Sequence, residues 1–291
     1  NHIEQTIASI LGQTVKPRKW AIVNDGSTDG TERIVAGYLS RHDFIRLINR
    51  KTGSPRSFAS KVYAVHEGLK SLQETDYDFI GNIDGDVEFG PHYFERLFNE
   101  FDKDVRLGIA GGWVCDAQGG KIEPRPGNSE HSVPGSVQMF RRECLDRIGG
   151  YLPIQAGGED CIAEVMARGD GWMVRSFPDL RVVHHGPGRG AGPNRLRASY
   201  RSGLEDYYTG HIPLFELFKC LRRVRSRPFF VASVFRYFGY ARGFLSREPL
   251  IVPKDTVEYY RKEQRRRIQS MFKNGRDDAK ARSAAIFPRR R

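Results

Sequence analysis

Asp78-Phe79-Ile80-Gly81-Asn82-Ile83-Asp84-Gly85-Asp86 sets a short apolar run directly ahead of two carboxylates. The run has the length of a buried strand. In an open α/β sheet ligands collect beyond the carboxyl ends of strands, which is where Asp84 and Asp86 fall. Carboxylates this close repel each other unless a cation lies between them. Hard divalent ions such as Mg²⁺ and Mn²⁺ take oxygen ligands and bridge to substrate phosphates. An acidic surface turn is the other reading of the same triplet.

Upstream, Trp20-Ala21-Ile22-Val23 reads as a second buried strand that ends in the polar loop Asn24-Asp25-Gly26-Ser27-Thr28-Asp29-Gly30-Thr31. Asp29 followed by Glu32 predicts a capping-box start for a helix carrying Ile34, Val35, Tyr38 and Leu39. Ile3, Ile7, Ile10 and Leu11 have helical spacing, as do Phe58, Val62, Val65 and Leu69, and Phe44 to Ile48 is a further strand candidate. Pro91 suits the first turn of a helix running through Phe101. This alternation predicts an α/β fold: a Rossmann-like, mostly parallel sheet with helices on both faces.

Downstream of 105 the apolar runs shorten and glycine breaks them. Strands are expected at 109–114, 137–140, 172–174 and 181–184, with helices at 141–148 and 159–168. Gly157-Gly158-Glu159-Asp160 leads into the second of these helices. Its carboxylates either cap the helix against the dipole or act in a site. His184-His185 closes a strand ahead of a glycine loop, a plausible ligand position. Residues 186–194 hold four Gly and two Pro, with Arg189 among them, and suit either a loop that closes over a ligand or a plain surface loop.

The 291 residues carry a formal net charge of +12, which invites a nucleic-acid reading. The distribution argues against it. Residues 1–210 hold 26 Lys+Arg against 28 Asp+Glu, and residues 211–291 hold 21 against 7, so a body at −2 carries a tail at +14. In 214–245 large aromatics mix with arginines on either side of Pro228, the composition of a helix pair lying on an anionic membrane. Packing of that pair on the rest of the protein is the competing reading. No run is long and apolar enough to span a bilayer. Cys115, Cys144, Cys161 and Cys220 form no CxxC pair, as expected of reduced thiols in a cytoplasmic protein, here one peripheral on the inner membrane face.

Taken together and in order, these motifs resemble the GT-A-fold glycosyltransferases of family 2, over about residues 1–190. Gln13-Thr14, the Asn24–Thr31 loop, Asp84-Gly85-Asp86, Arg141-Arg142 ahead of Ile148-Gly149-Gly150-Tyr151, Gly158-Glu159-Asp160 and His184 carry the likeness. The resemblance implies a metal-dependent, inverting transfer of sugar from a nucleotide-sugar donor, a UDP-sugar favoured, to a saccharide or lipid-linked acceptor. It implies that Asp25 contacts the base, that Asp86 with Asp84 and His184 meets Mg²⁺ or Mn²⁺, that Asp160 is the catalytic base and that Glu159 caps the helix or binds the acceptor. Arg56 and Lys61 are both candidates for a cation near the base or diphosphate. A nucleotide-sugar-binding half over 1–104, an acceptor half over 105–210, a basic helical extension over 211–278 and a disordered tail over 279–291 are expected. The family's first strand is absent ahead of Asn1, which keeps an inactive nucleotide-sugar- or polysaccharide-binding module as the alternative.

Overall fold

A computed structural model describes residues 2–50, 58–118, 120–186, 195–223 and 230–286. The chain divides into two compact units, Asn1–Pro193 and Asn194–Arg291.

The first unit opens with α1 (Ile3–Leu11), β1 (Trp20–Asn24), α2 (Thr31–Leu39) and β2 (Ile45–Asn49). Ile3, Ile7, Ile22, Val35 and Ile45 pack into one cluster, as the helical and strand spacings require. β1 and β2 pair in parallel, with Asn24 opposite Asn49. The capping of α2 differs from expectation. Gly30, at φ 82°, is the N-cap, while Asp29 accepts hydrogen bonds from the Thr31 amide and hydroxyl (3.3 and 2.6 Å). Glu32 does not reach back; it accepts from Asn49 Nδ2 at 2.8 Å. A left-handed residue at the cap suits glycine, and that moves the cap one position along.

α3 (Phe58–Ser71), β3 (Phe79–Ile83), β4 (Val87–Phe89), α4 (Tyr93–Lys103), β5 (Leu107–Gln118), β6 (Lys121–Pro124), β7 (Val137–Arg141), α5 (Arg142–Ile148), α6 (Glu159–Gly169) and β8 (Met173–His184) complete the unit. Strand order is β3-β7-β5-β8-β4, with β6 paired to β5. β5 and β8 are parallel, whereas β3–β7, β5–β7, β4–β8 and β5–β6 are antiparallel, so this sheet is mixed. Tight returns such as the β5–β6 hairpin can only bring the chain back antiparallel. The two strands expected at 172–174 and 181–184 are one continuous strand, β8, with a register shift opposite Gly112 and Trp113 of β5. Tyr93, Leu97, Phe101, Ile109, Phe140 and Val182 belong to the main core. Strands from both sides of the expected 104/105 division share that sheet.

β1 and β3 do not pair with each other. Both line a cavity of about 580 Å³, together with Ile10, Val65 and Phe98. Arg18, ahead of β1, donates to the carbonyl of Asp76, ahead of β3 (3.1 Å), so the two strands begin at the same end.

The second unit holds α7 (Arg195–Tyr208), α8 (Pro213–Arg223), α9 (Val231–Ser246) and α10 (Lys254–Ile286), the last crossing the 278/279 boundary. Pro228, expected between two helices, and most of the glycine loop at 186–194 lie outside the described residues. No described helix is long and apolar enough to cross a membrane.

Candidate active site

The turn after β3 and the start of α6 meet at one backbone segment. β3 ends at Ile83, so Asp84 follows the strand, and its amide donates to the carbonyl of Ser136 at 3.1 Å. Asn82 Nδ2 donates to the carbonyl of Gly135 at 2.9 Å. From the other side the Gly135 amide donates to Asp160 Oδ2 at 3.0 Å, while Asp160 Oδ1 accepts from the Cys161 amide at 2.8 Å. The segment Pro134-Gly135-Ser136 therefore ties the Asp84 turn to the start of α6. A β-carbon at Gly135 would come within 2.7 Å of Asp160 Oδ2, so glycine is needed for this approach.

Lys61, on α3, pairs with Asp84 Oδ1 at 2.7 Å. Burial would lower its pKa, but Asp84, with Glu159 and Asp160 adding, raises it, so the ammonium stays charged. Lys61 is thus the cation that faces both the turn after β3 and the start of α6. Arg56, the other candidate, lies outside the described residues.

Asp25 meets a cation that sequence reading missed. Arg50 Nη1 donates to Asp25 Oδ1 at 2.7 Å and to the carbonyl of Ser60 at 3.1 Å. Arg50 directly follows β2, whose parallel pairing with β1 brings the two strand ends together. Beside them Asn24 Oδ1 accepts from the Ser27 amide and Asn24 Nδ2 donates to Asn49 (both 2.9 Å), which shapes the loop.

Asp86 lies apart from the Lys61 pair. Among the described residues its Oδ1 is buried without a hydrogen-bond partner, and its Oδ2 is 3.5 Å from His184 Nε2. A β-carbon at Gly186 would overlap that same Oδ2, so Gly186 leaves the carboxylate its space. The two histidines separate cleanly: His184 faces Asp86, whereas His185 Nε2 is 2.8 Å from Glu88 and its ring stacks on His2 at 5.6 Å. Among the described residues no three His, Cys, Asp or Glu side chains form a self-sufficient metal site. A buried, unpartnered carboxylate oxygen beside an imidazole nevertheless suits a small hard cation that takes its remaining ligands from substrate phosphates and water.

Behind Asp160 lies a buried polar web. Glu164, one turn further along α6, accepts from the Val133 amide at 2.6 Å and from Ser132 at 3.2 Å. Gln138, fully buried on β7, donates to the carbonyl of Val133 at 3.0 Å and accepts from the Tyr151 hydroxyl at 2.5 Å. Tyr151 is therefore committed to the core, at 4% exposure and edge-on to Phe140, rather than presented to a sugar ring. Burial pushes its hydroxyl well above the ordinary range. The sequence signals for this web were slight: one polar residue inside an apolar strand, and a carboxylate four positions after Asp160.

Comparison with known proteins identifies the family and the fold. The description "Glycosyl transferase family 2" matches residues 1–153. An uncharacterised glycosyltransferase, EpsJ, of Bacillus subtilis is 33% identical over 109 residues, covering 38% of this chain and 29% of that protein. A chondroitin synthase of Escherichia coli is 29% identical over 106 residues, 36% of this chain and 14% of that protein. The chain thus spans less than a third of these relatives. Among solved structures, the mannosyltransferase PcManGT from Pyrobaculum calidifontis in complex with GDP-Man and Mn²⁺ superposes with a TM-score of 0.52 at 16% identity, over 84% of this chain and 70% of that one. S. aureus TarS gives 0.52 at 12% identity, over 78% and 42%. The family match over more than half the chain, with the α/β architecture shared by these structures, shows that the chain belongs to glycosyl transferase family 2 and has the GT-A fold.

Proposed function

We propose that the chain catalyses a metal-dependent, inverting transfer of a sugar from a nucleoside diphosphate donor to a hydroxyl acceptor in polysaccharide or glycolipid synthesis. The observation that carries this reading is the common anchoring of Asp84 and Asp160 on the segment 134–136, with Lys61 charged beside both. Asp25, held by Arg50, frames the base. Asp84 orients Lys61, whose ammonium counters the charge that develops on the departing diphosphate. Asp86 and His184 are the residues that would hold Mg²⁺ or Mn²⁺, which supplies further neutralisation of the leaving group when bound. Each oxygen of Asp160 keeps a lone pair beyond its backbone hydrogen bond, so the carboxylate accepts the acceptor hydroxyl's proton. The acceptor oxygen forms its bond to the anomeric carbon from one face as the bond to the diphosphate oxygen breaks on the other. The backbone grip on both Asp160 oxygens holds the base on the acceptor side and leaves none of its mobility to be lost during reaction.

Asp86→Ala tests the donor side. With Mn²⁺ and a panel of UDP-, GDP- and dTDP-sugars, wild-type protein should release nucleoside diphosphate, UDP-sugars foremost, and the variant should lose about a hundredfold or more of that rate. Equal metal-dependent rates in both proteins would contradict the assignment.

The helical unit carries the surface proposed for an anionic membrane. On α9, Ser233, Arg236, Gly239, Tyr240 and Gly243 are buried, while Val231, Val234, Phe235, Phe238 and Leu245 are exposed, Phe238 at 62% and Leu245 at 79%. Leu214, Leu217 and Leu221 of α8 are exposed as well. No acidic residue lies on α9, and Arg222, Arg223, Arg242 and Arg247 are exposed on or beside these helices. An apolar stripe free of acids and flanked by arginine is chemically suited to anionic lipid. Sedimentation with phosphatidylcholine vesicles containing phosphatidylglycerol should recover the protein at low salt and not after Phe238→Glu with Leu245→Glu. Failure of the wild-type protein to sediment would contradict it.

A further inference from the structure

His184 meets Asp86 through one ring nitrogen, and a second carboxylate stands at the other. Asp116 of β5 lies opposite His184 in the parallel β5–β8 register, and its Oδ1 is 3.3 Å from His184 Nδ1. Among the described residues that nitrogen is buried and has no aligned hydrogen-bond partner, which leaves the Asp116 carboxylate as the acceptor beside it. Asp116 is itself clamped: Arg125 Nε donates to both of its oxygens at 3.1 Å, and Nη2 donates to Oδ1 at 2.6 Å. Arg125 is anchored in turn, since its amide donates to the carbonyl of Val114 at 2.9 Å and Asn128 Nδ2 donates to the same carbonyl at 2.8 Å.

We propose that Asp116, fixed by Arg125, is a positioning residue for the metal site. It holds the proton of the neutral imidazole on Nδ1, and so keeps the lone pair of His184 on Nε2, the side shared with Asp86. An imidazole ligates a metal only through an unprotonated nitrogen. The hydrogen-bond partner of its other nitrogen decides which one that is and fixes the ring's orientation. The chain places this partner on a strand of the sheet rather than on a loop, and Arg125 keeps it from turning away. The inference rests on the metal reading of Asp86 and His184.

The test is Mn²⁺ binding by the full chain in the presence of UDP or GDP, read from the electron paramagnetic resonance of free Mn²⁺. Asp116→Asn, which retains the side chain's shape but replaces the carboxylate with a neutral, weaker acceptor for the Nδ1 proton, should weaken Mn²⁺ binding about ten- to a hundredfold. Arg125→Gln should weaken it in the same direction. In a His184→Ala background, Asp116→Asn should have no further effect, because Asp116 acts only through that ring. A structural role in pinning the β5–β6 hairpin would instead persist without His184. The proposal is overturned if Asp116→Asn leaves Mn²⁺ affinity within twofold of wild type while Asp86→Ala abolishes binding, or if its effect is the same with and without His184. Mn²⁺ binding that survives Asp86→Ala would overturn the metal reading beneath it.

Discussion

Glu164 is 2% exposed, and its carboxyl is pushed up to about 7, chiefly by burial and with the Asp160 charge adding, against the pull of the Val133 amide and Arg168. The native protein therefore holds this proton to higher pH than the unfolded chain does. The stability it contributes is whole below 4.5 and is lost as pH rises through 7. Glu164→Gln stays neutral throughout. Urea unfolding should show wild type losing about 3 kcal/mol relative to the variant between pH 4.5 and pH 7; parallel curves would contradict a buried, protonated Glu164. At this scale the sequence singles out carboxylates at the ends of elements, Asp84 and Asp86 after β3 and Asp160 at the start of α6. Arg50, Gln138 and Glu164 escaped because nothing in their own neighbourhoods marks them. Their meaning comes from partners such as Asp25, Tyr151 and Val133, which the fold brings from elsewhere in the chain.

Elements were read best where periodicity was long. α1 begins and ends within the expected spacing, and β1, β3 and β7 fall within a residue of the apolar runs that announced them. β4 has three residues and β6 four, too few to show a period, and their pairing with β8 and β5 is what makes them strands. The helical unit shows a packing device of the same non-local kind. A β-carbon at Gly203 of α7 would overlap the carbonyl of Arg236, and one at Gly239 of α9 would overlap the carbonyl of Tyr200, so the two glycines let the helix backbones touch. Arg236, 8% exposed, also pairs with Asp206 of α7 and with Glu216 of α8. Gly239→Ala should cost about 2 kcal/mol by forcing the helices apart. Gly37→Ala on α2, where a β-carbon meets nothing within 4 Å, should instead be neutral or stabilising by up to about 1 kcal/mol. Thermal unfolding of the two variants separates these outcomes, and equal midpoints would contradict the close α7–α9 contact.

Over the whole molecule, the charge of +12 joins two unlike parts, a body at −2 and a tail from 211 at +14. The carboxylates of the body that carry the proposed chemistry stand after β1, after β3, at the start of α6 and on β5, on two separate sheets and a helix, so only the tertiary fold groups them with their partners. That is why the order of motifs identified the family while the grouping of side chains remained hidden: Lys61 with Asp84 and the start of α6, Arg50 with Asp25, Asp116 with His184. In the proposed mechanism Asp160 takes the acceptor proton while a separate set of residues holds the donor. Asp160→Asn separates the two roles when transfer and Mn²⁺-dependent nucleoside diphosphate binding are measured on the same preparation. Transfer should fall by about a thousandfold or more, with nucleotide affinity within about threefold of wild type. Retained transfer, or loss of nucleotide binding in step with activity, would contradict that mechanism.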